Sequence, residues 1–403
     1  MIGRQRLYLE LVIGEPVKFK FQTFIFLQYF SNGIYGPYLV VYLSQKGFSG
    51  AQIGLMLGVM PIASIIFQPV WGYLSDVFNQ RRILLLIGSL GVALACLGLV
   101  YAETFIAAFL CSLLFSIMMA PLIPISTAML MDHLEELGKP EAFSLFRLWG
   151  SLGFGISSIL MAGLFLDQIL VYFGWFMVVI YVMLGGLSLT LPEKGQTYEP
   201  MSINGLTVLI KKPEFLIFLA GSAFIGATLG ISLNYQTLFL QNLNASSWLI
   251  GAIVSIQALL EIPFMLMVPW LLRRFSIRWL ILAGALALPL RWLSYIFIKD
   301  PAWVLPTQVI NGISTISFFV VAIAYIDQLV SPQWRATGQG LYSAVMWGIG
   351  AGLGSMAGGY FLGWYGVRSV WYMNVVLGML GLGLIMIGFR KSKVTQPQGV
   401  RTE

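Results

Sequence analysis

The sequence predicts an all-α membrane protein, a bundle of about twelve spanning helices built as two like halves. Three observations predict it: a composition too apolar for water, a regular succession of apolar segments of spanning length, and a match between the two halves at one shift. The chain is 58% hydrophobic and only 10% charged, whereas soluble domains carry about 25% charged residues. No soluble core could hide that much apolar surface, but lipid tails accept it. The 43 glycines point the same way, because small residues let membrane helices approach closely.

A spanning helix needs about 20 apolar residues. The segments 20–43, 50–74, 82–101, 104–130, 143–165, 169–190, 214–238, 248–271, 278–298, 302–328, 337–361 and 367–389 qualify. Their close spacing leaves no room for a sizeable soluble domain. The longest interruption, 191–213, contains Pro192, Pro200 and Pro213 and reads as a linker. The expected organisation is a first six-helix half over 1–192, a cytoplasmic linker over 193–213, a second six-helix half over 214–390 and a cytoplasmic tail over 391–403. The basic N-terminus, with Arg4, Arg6, Lys18 and Lys20, lacks the apolar core and cleavage site of a signal peptide, so the first apolar segment is expected to stay as a helix.

Loop charges orient the bundle, because inner loops collect Lys and Arg. With the N-terminus inside, three of the 23 Lys and Arg (Lys46, Lys299 and Arg368) fall in outer loops. Arg147 and Arg291 fall within spans, and all the others lie inside. One missed helix would invert every later loop, so the asymmetry supports the count and places both termini in the cytoplasm. The net charge of +7 is scattered between apolar segments and does not point to nucleic acid. Cys96 and Cys111 lie inside apolar runs with no metal or redox spacing.

At a shift of 197 residues the halves match at special positions. Ile53-Gly54 falls on Ile250-Gly251, Gly33 on Gly230, Tyr38 on Tyr235, Arg81 on Arg278, and Gly153 and Gly155 on Gly350 and Gly352. Asp132 and Asp327 match at a shift of 195. An even number of spans per half gives a parallel repeat, an arrangement that transporters use to place a site at mid-membrane.

After the second span comes Gly72-Tyr73-Leu74-Ser75-Asp76 and then Arg81-Arg82. This run resembles the G-x-L-x-D loop signature of the major facilitator superfamily, with its following basic pair. It departs from the pattern at Val77 and Asn79. The chemistry is that of a cytoplasmic latch, an acid at a helix end that can pair with basic residues. The fifth span opens Phe146-Arg147-Leu148-Trp149-Gly150-Ser151-Leu152-Gly153-Phe154. That run resembles the branch holding phenylpropionate-type permeases, nucleoside–proton symporters and lactose permease. Gly36-Pro37-Tyr38-Leu39, Gln52-Ile53-Gly54, Glu261-Ile262-Pro263 and Thr337-Gly338-Gln339-Gly340-Leu341-Tyr342 agree with it. The resemblance covers nearly the whole chain. It implies a multi-pass inner-membrane transporter with a small-molecule substrate and protons as partners, expected to act as a monomer.

Ionisable groups at membrane depth are costly and mark function by default. Glu261 in the eighth span and Arg291 in the ninth are the candidates for proton coupling. A carboxyl takes up a proton more readily when buried and less readily beside a guanidinium, so a moving partner can switch it. The alternative is a static ion pair between them. Arg147 is the candidate substrate contact, with Phe154 seven residues on in the place where the resemblance puts an aromatic. Tyr35, Tyr38, Asn234, Tyr235, Gln257 and Asn311 are candidate cavity residues, aromatic and amide groups of the kind that orient a ligand. They can equally serve interhelical hydrogen bonds. The tenth span shows Gln308, Asn311 and Ser314 where the lactose-type pattern has a His/Glu pair, which argues against a disaccharide and against that proton relay. No P-loop is present, so ATP is not the expected driving force. No catalytic constellation or cofactor motif appears. The competing expectations are a proton-driven exporter of apolar compounds and, from another class, a receptor on the same scaffold.

Overall fold

A computed structural model describes residues 15–78, 80–139, 142–193, 209, 211–331 and 334–391. Most of the expected linker and tail lies outside the described residues, as do Arg4 and Arg6. In chain order the helices are α1 (Glu15–Gln45), α2 (Gly50–Phe78), α3 (Arg81–Tyr101), α4 (Phe105–Met119), α5 (Leu122–Glu136), α6 (Phe143–Phe165), α7 (Ile169–Ser188), α8 (Pro213–Asn242), α9 (Ser247–Arg274), α10 (Ile277–Phe297), α11 (Val304–Ile316), α12 (Ala322–Leu329), α13 (Arg335–Ser343), α14 (Ala351–Tyr365) and α15 (Ser369–Lys391). There is no strand among the described residues.

Within the described residues, nine stretches are long and apolar enough to cross a membrane, and one of them, Leu145–Ser188, holds both the fifth and the sixth expected spans. α1 and α13–α14 stand where the first and eleventh spans are expected. The fourth expected span is divided between α4 and α5 at Ala120–Pro121, where proline supplies no backbone donor. π-helical turns, Ser317–Val321 and Ala344–Gly350, interrupt the tenth and eleventh. Several helices start on the side chains that the sequence provides. Thr104, Ser246 and Ser276 accept from the backbone N–H three residues on, and Pro213 opens α8, where a missing N–H costs nothing.

The chain forms two compact units: Met1–Phe48 with Ala63–Tyr198, and Ser49–Ile62 with Glu199–Glu403. The N-terminal part of α2, as far as Ile62, therefore groups with the second unit. In the first unit α1 packs on α6. The Tyr38 hydroxyl donates to the Ser158 carbonyl at 2.7 Å, and Ser158 Oγ donates to the Gly33 carbonyl at 3.0 Å. A Cβ on Gly33 would come within 2.5 Å of the Phe154 carbonyl oxygen, so the backbones meet where the side chain is missing. In the second unit α8 packs on α14 in the same way. Tyr235 donates to the Ser355 carbonyl at 2.7 Å, and a Cβ on Gly230 would come within 2.5 Å of the Ala351 oxygen. Tyr38 and Tyr235, Ser158 and Ser355, and Gly33 and Gly230 are each separated by the same shift. The glycine and tyrosine matches read from the sequence are thus matches of one packing device.

Lys46 and Arg368, two of the three cations expected in outer loops, have a packing task. Lys46 Nζ donates to the carbonyls of Leu99, Val100 and Ala102 at 2.6, 2.9 and 2.8 Å, capping the end of α3. Burial pulls its ammonium below the usual lysine range. Arg368 donates to the Ile298 carbonyl at 3.1 Å, capping the end of α10. A cation at a helix C-terminus satisfies orphan carbonyls and the helix dipole together. Each of these residues closes a helix.

The packing makes a direct prediction. A Cβ on Gly226 of α8 would overlap the Met346 carbonyl, whereas one on Gly383 of α15 would meet nothing within 4 Å. Gly226→Val is expected to cost about 1–3 kcal/mol or more and to lower the melting temperature of purified protein by several degrees. Gly383→Ala is expected to leave it unchanged or raise it. Equal behaviour of the two variants would refute the packing.

Candidate functional site

In the first unit the polar residues gather along α1 and α6. The Arg147 guanidinium lies 4.1 Å from the centre of the Tyr29 ring, a stacked cation–π contact. Gly150, one turn on, makes that contact possible, since a Cβ there would come within 2.8 Å of both Arg147 Nη1 and the Tyr29 ring. Arg147 Nη1 is buried without a hydrogen-bond partner. On the same helix as Tyr29, Gln28 Oε1 accepts from Ser126 at 3.2 Å, while Gln28 Nε2 and Asn32 Oδ1 are buried and unpartnered. Phe154 and Tyr35 are half-buried, and the Tyr35 ring packs on Phe115 at 4.7 Å.

In the second unit Arg291 is 0% exposed and sits in a shell of neutral oxygens. Nη1 donates to Asn311 Oδ1. Nη2 donates to Gln308 Oε1 at 2.8 Å, to the Tyr295 hydroxyl at 3.1 Å, to Gln236 Oε1 at 3.3 Å and to Gln257 Oε1 at 3.4 Å. These partners come from α8, α9, α10 and α11, so one side chain ties four helices. Trp292 and Tyr295 lie 4.6 and 5.6 Å from the guanidinium carbon, and Tyr295, Trp292 and Trp371 pack ring on ring behind it. A guanidinium carries five donors and no acceptor, so oxygen dipoles are what a dry interior must offer it.

The structure therefore brings Arg291, Gln257 and Asn311 together. Glu261 is half-buried on α9, one turn after Gln257. Asn234 donates to Ser355 Oγ at 2.9 Å and to the Gly230 carbonyl at 3.0 Å. Tyr38 and Tyr235 are fully buried, and their hydroxyl protons already go to main-chain carbonyls.

Also in the first unit, Arg81 pairs with Asp132, joining the start of α3 to the end of α5. The Arg82 backbone N–H donates to Glu193 Oε1 at 3.1 Å, and Arg82 Nε lies 3.7 Å from Glu193 Oε2. Gly72 faces open space. Asp76 lies in α2, and its side chain is outside the described residues. In the second unit Asp327 accepts from Gln339 Nε2 at 2.7 Å.

The residues that sequence reasoning passed over are Tyr29, Asn32, Tyr295 and the pairing role of Asp132. Helical spacing carries part of the signal. Tyr29 and Asn32 are one turn apart on the candidate first span, and Arg291 and Tyr295 are spaced to share a face. Nothing local in the sequence pairs Asp132 with Arg81, which lies 51 residues away.

The model of the MFS_1-like family matches residues 19–373. A maltose permease of Geobacillus stearothermophilus is 29% identical over 91% of this chain and 93% of its own length. A xanthosine permease of Escherichia coli is 25% identical over 88% of this chain and 90% of its own. The crystal structure of the nucleoside transporter NupG superposes with a TM-score of 0.85 at 22% identity, covering 93% of this chain and all of that one. This last likeness shows the fold.

The Arg81–Asp132 pair is mostly buried, with side-chain exposures of 10% and 16%. Removing one partner of such a pair leaves the other charge uncompensated. Arg81→Gln and Asp132→Asn are each expected to cost about 1–3 kcal/mol of stability. The double substitution is expected to cost no more than the worse single one, because the two share one interaction. Additive losses in thermal unfolding would show that the pair is not coupled.

Proposed function

Because the chain belongs to the MFS_1-like family and is a multi-pass membrane transporter, we propose that it moves a small, hydroxyl-rich organic solute across the inner membrane by alternating access, in symport with a proton. The observation that carries this reading is the polar cluster around Arg291. A fully buried guanidinium held by four carboxamides is too costly in a bilayer to be a mere packing element. Relatives named as maltose, xanthosine and nucleoside permeases share a solute chemistry of hydroxyl and carbonyl oxygens, which amides and arginines recognise. The maltose permease keeps a disaccharide within that class, although the tenth span lacks the lactose-type His/Glu pair.

In this reading the first unit offers the stacked Arg147, with Tyr29, Tyr35 and Phe154 as apolar and aromatic surface. The second unit offers Gln257, Asn234 and the Arg291 cluster. Glu261 carries the proton. Arg291 supplies a fixed positive group with donors only, and the carboxyl of Glu261, one turn from Gln257, is the proton carrier of this reading. An exporter of apolar compounds fits less well, because the buried side chains that stand out here are amides and cations.

The test uses the full chain in proteoliposomes under an imposed pH gradient. Glu261→Gln is expected to abolish accumulation of labelled maltose or xanthosine against a concentration gradient, while exchange of internal for external solute continues. Accumulation that persists with the pH dependence of the unaltered protein would remove Glu261 from the coupling role.

A further inference from the structure

Arg291 presents only N–H donors. A carboxamide that faces it must therefore turn its oxygen inward, because an NH2 group in that place would set donor against donor. Gln236, Gln257, Gln308 and Asn311 all show their oxygens to the guanidinium. Each amide nitrogen is then left on the far side of its own group. Gln308 Nε2 donates to the Val304 carbonyl at 3.0 Å and to Tyr295 at 3.3 Å, and Asn311 Nδ2 donates to Thr315 Oγ1 at 3.3 Å. Gln236 Nε2 is buried with no partner, although the whole residue is only 2% exposed. Gln257 is the one member of the four that is not fully buried.

We propose that Arg291 is a positioning residue that fixes the carboxamide of Gln257, with Gln236 behind it, so that their N–H donors meet the transported solute. The second unit then reads hydrogen-bond acceptors, the lone pairs of hydroxyl, carbonyl or ring-nitrogen atoms on an uncharged solute. This assignment rests on the transport reading above and adds the sense of its hydrogen bonds. A freely rotating glutamine would offer either end to a ligand. One held by a permanent cation offers only its donors, and the ordering cost is met before the solute arrives.

The experiment has a ligand-free arm and a transport arm, both on the full chain. Gln257→Glu places a carboxylate against the guanidinium, so the melting temperature of purified protein is expected to hold or rise. In an Arg291→Met background the same change is expected to lower it. If Arg291→Met does not fold, Arg291→Lys, which keeps the charge without the planar fork, takes its place, and the benefit of Gln257→Glu is then expected to shrink. No dependence on residue 291 in either background overturns the contact. In proteoliposomes with labelled maltose and labelled xanthosine, Gln257→Glu is expected to raise the half-saturating concentration about tenfold with little change in maximal rate, despite its intact fold. Arg291→Met is expected to do the same, and the two effects are not additive. Unchanged half-saturation in Gln257→Glu overturns the donor assignment. Failure of the unaltered chain to transport either solute sinks the solute class of the transport reading, while the melting reversal still decides whether Arg291 positions Gln257.

Discussion

A bilayer offers no hydrogen-bond partner, so every polar group at membrane depth must find one inside the protein. The rest of this structure follows from that constraint. Backbone groups are satisfied along the helices. Serines donate back to carbonyls of their own helix, as Ser188 does to Gly185 and Ser222 to Phe218. Tyrosine hydroxyls reach across to a neighbouring main chain, as Tyr38 and Tyr235 do. Carbonyls left over at helix ends are closed by Lys46 and Arg368. Glycine enters for a related reason. Where Gly33 and Gly230 remove a side chain, backbones come close enough for those hydroxyls to reach, and short-range contact replaces the hydrophobic drive that lipid cannot supply.

Arg291 is the extreme case of the same constraint. Water and counter-ions would normally surround a guanidinium. Here four carboxamide oxygens and a phenol stand in for them. Arg147 is handled differently. It lies over the face of Tyr29, and one of its donors has no partner. One arginine is encased and the other stacked, so the two units hold positive charge in unlike ways although their packing device is shared.

Much of this was legible in the sequence, and the part that was legible has a physical signature there. Apolar segments of spanning length announce helices because the hydrocarbon core sets their length. Gly33 and Gly230, or Tyr38 and Tyr235, stand out at one shift because packing is repeated in both units. Arg291 stands out because a charge in an apolar run has few explanations. The composition of its shell was only partly readable. Gln257 and Asn311 were candidates on residue type, but Tyr295 looks like any interfacial aromatic until the fold turns it inward. Arg81 reads as half of a latch motif, whereas its partner Asp132 is distant in the chain and is set by the packing of α3 against α5. The break at Ala120–Pro121 and the π-helical turns are local departures that mean hydropathy, which averages over a window, does not register.

The repeat also separates shared packing from polar pairings that differ. Residues that match at a single shift, Gly33 with Gly230 and Ser158 with Ser355, hold helices together. Other polar pairings differ between the units. Asp132 pairs with an arginine, while its counterpart Asp327 accepts from Gln339. The encased arginine is in the second unit, the stacked one in the first. A duplicated chain can keep its packing symmetric at no loss, because both copies face the same lipid. A solute with two unlike ends gains nothing from two identical surfaces. In the proposed reading, recognition comes from positions that have diverged, and those positions can diverge only where the packing pairs are already satisfied without them.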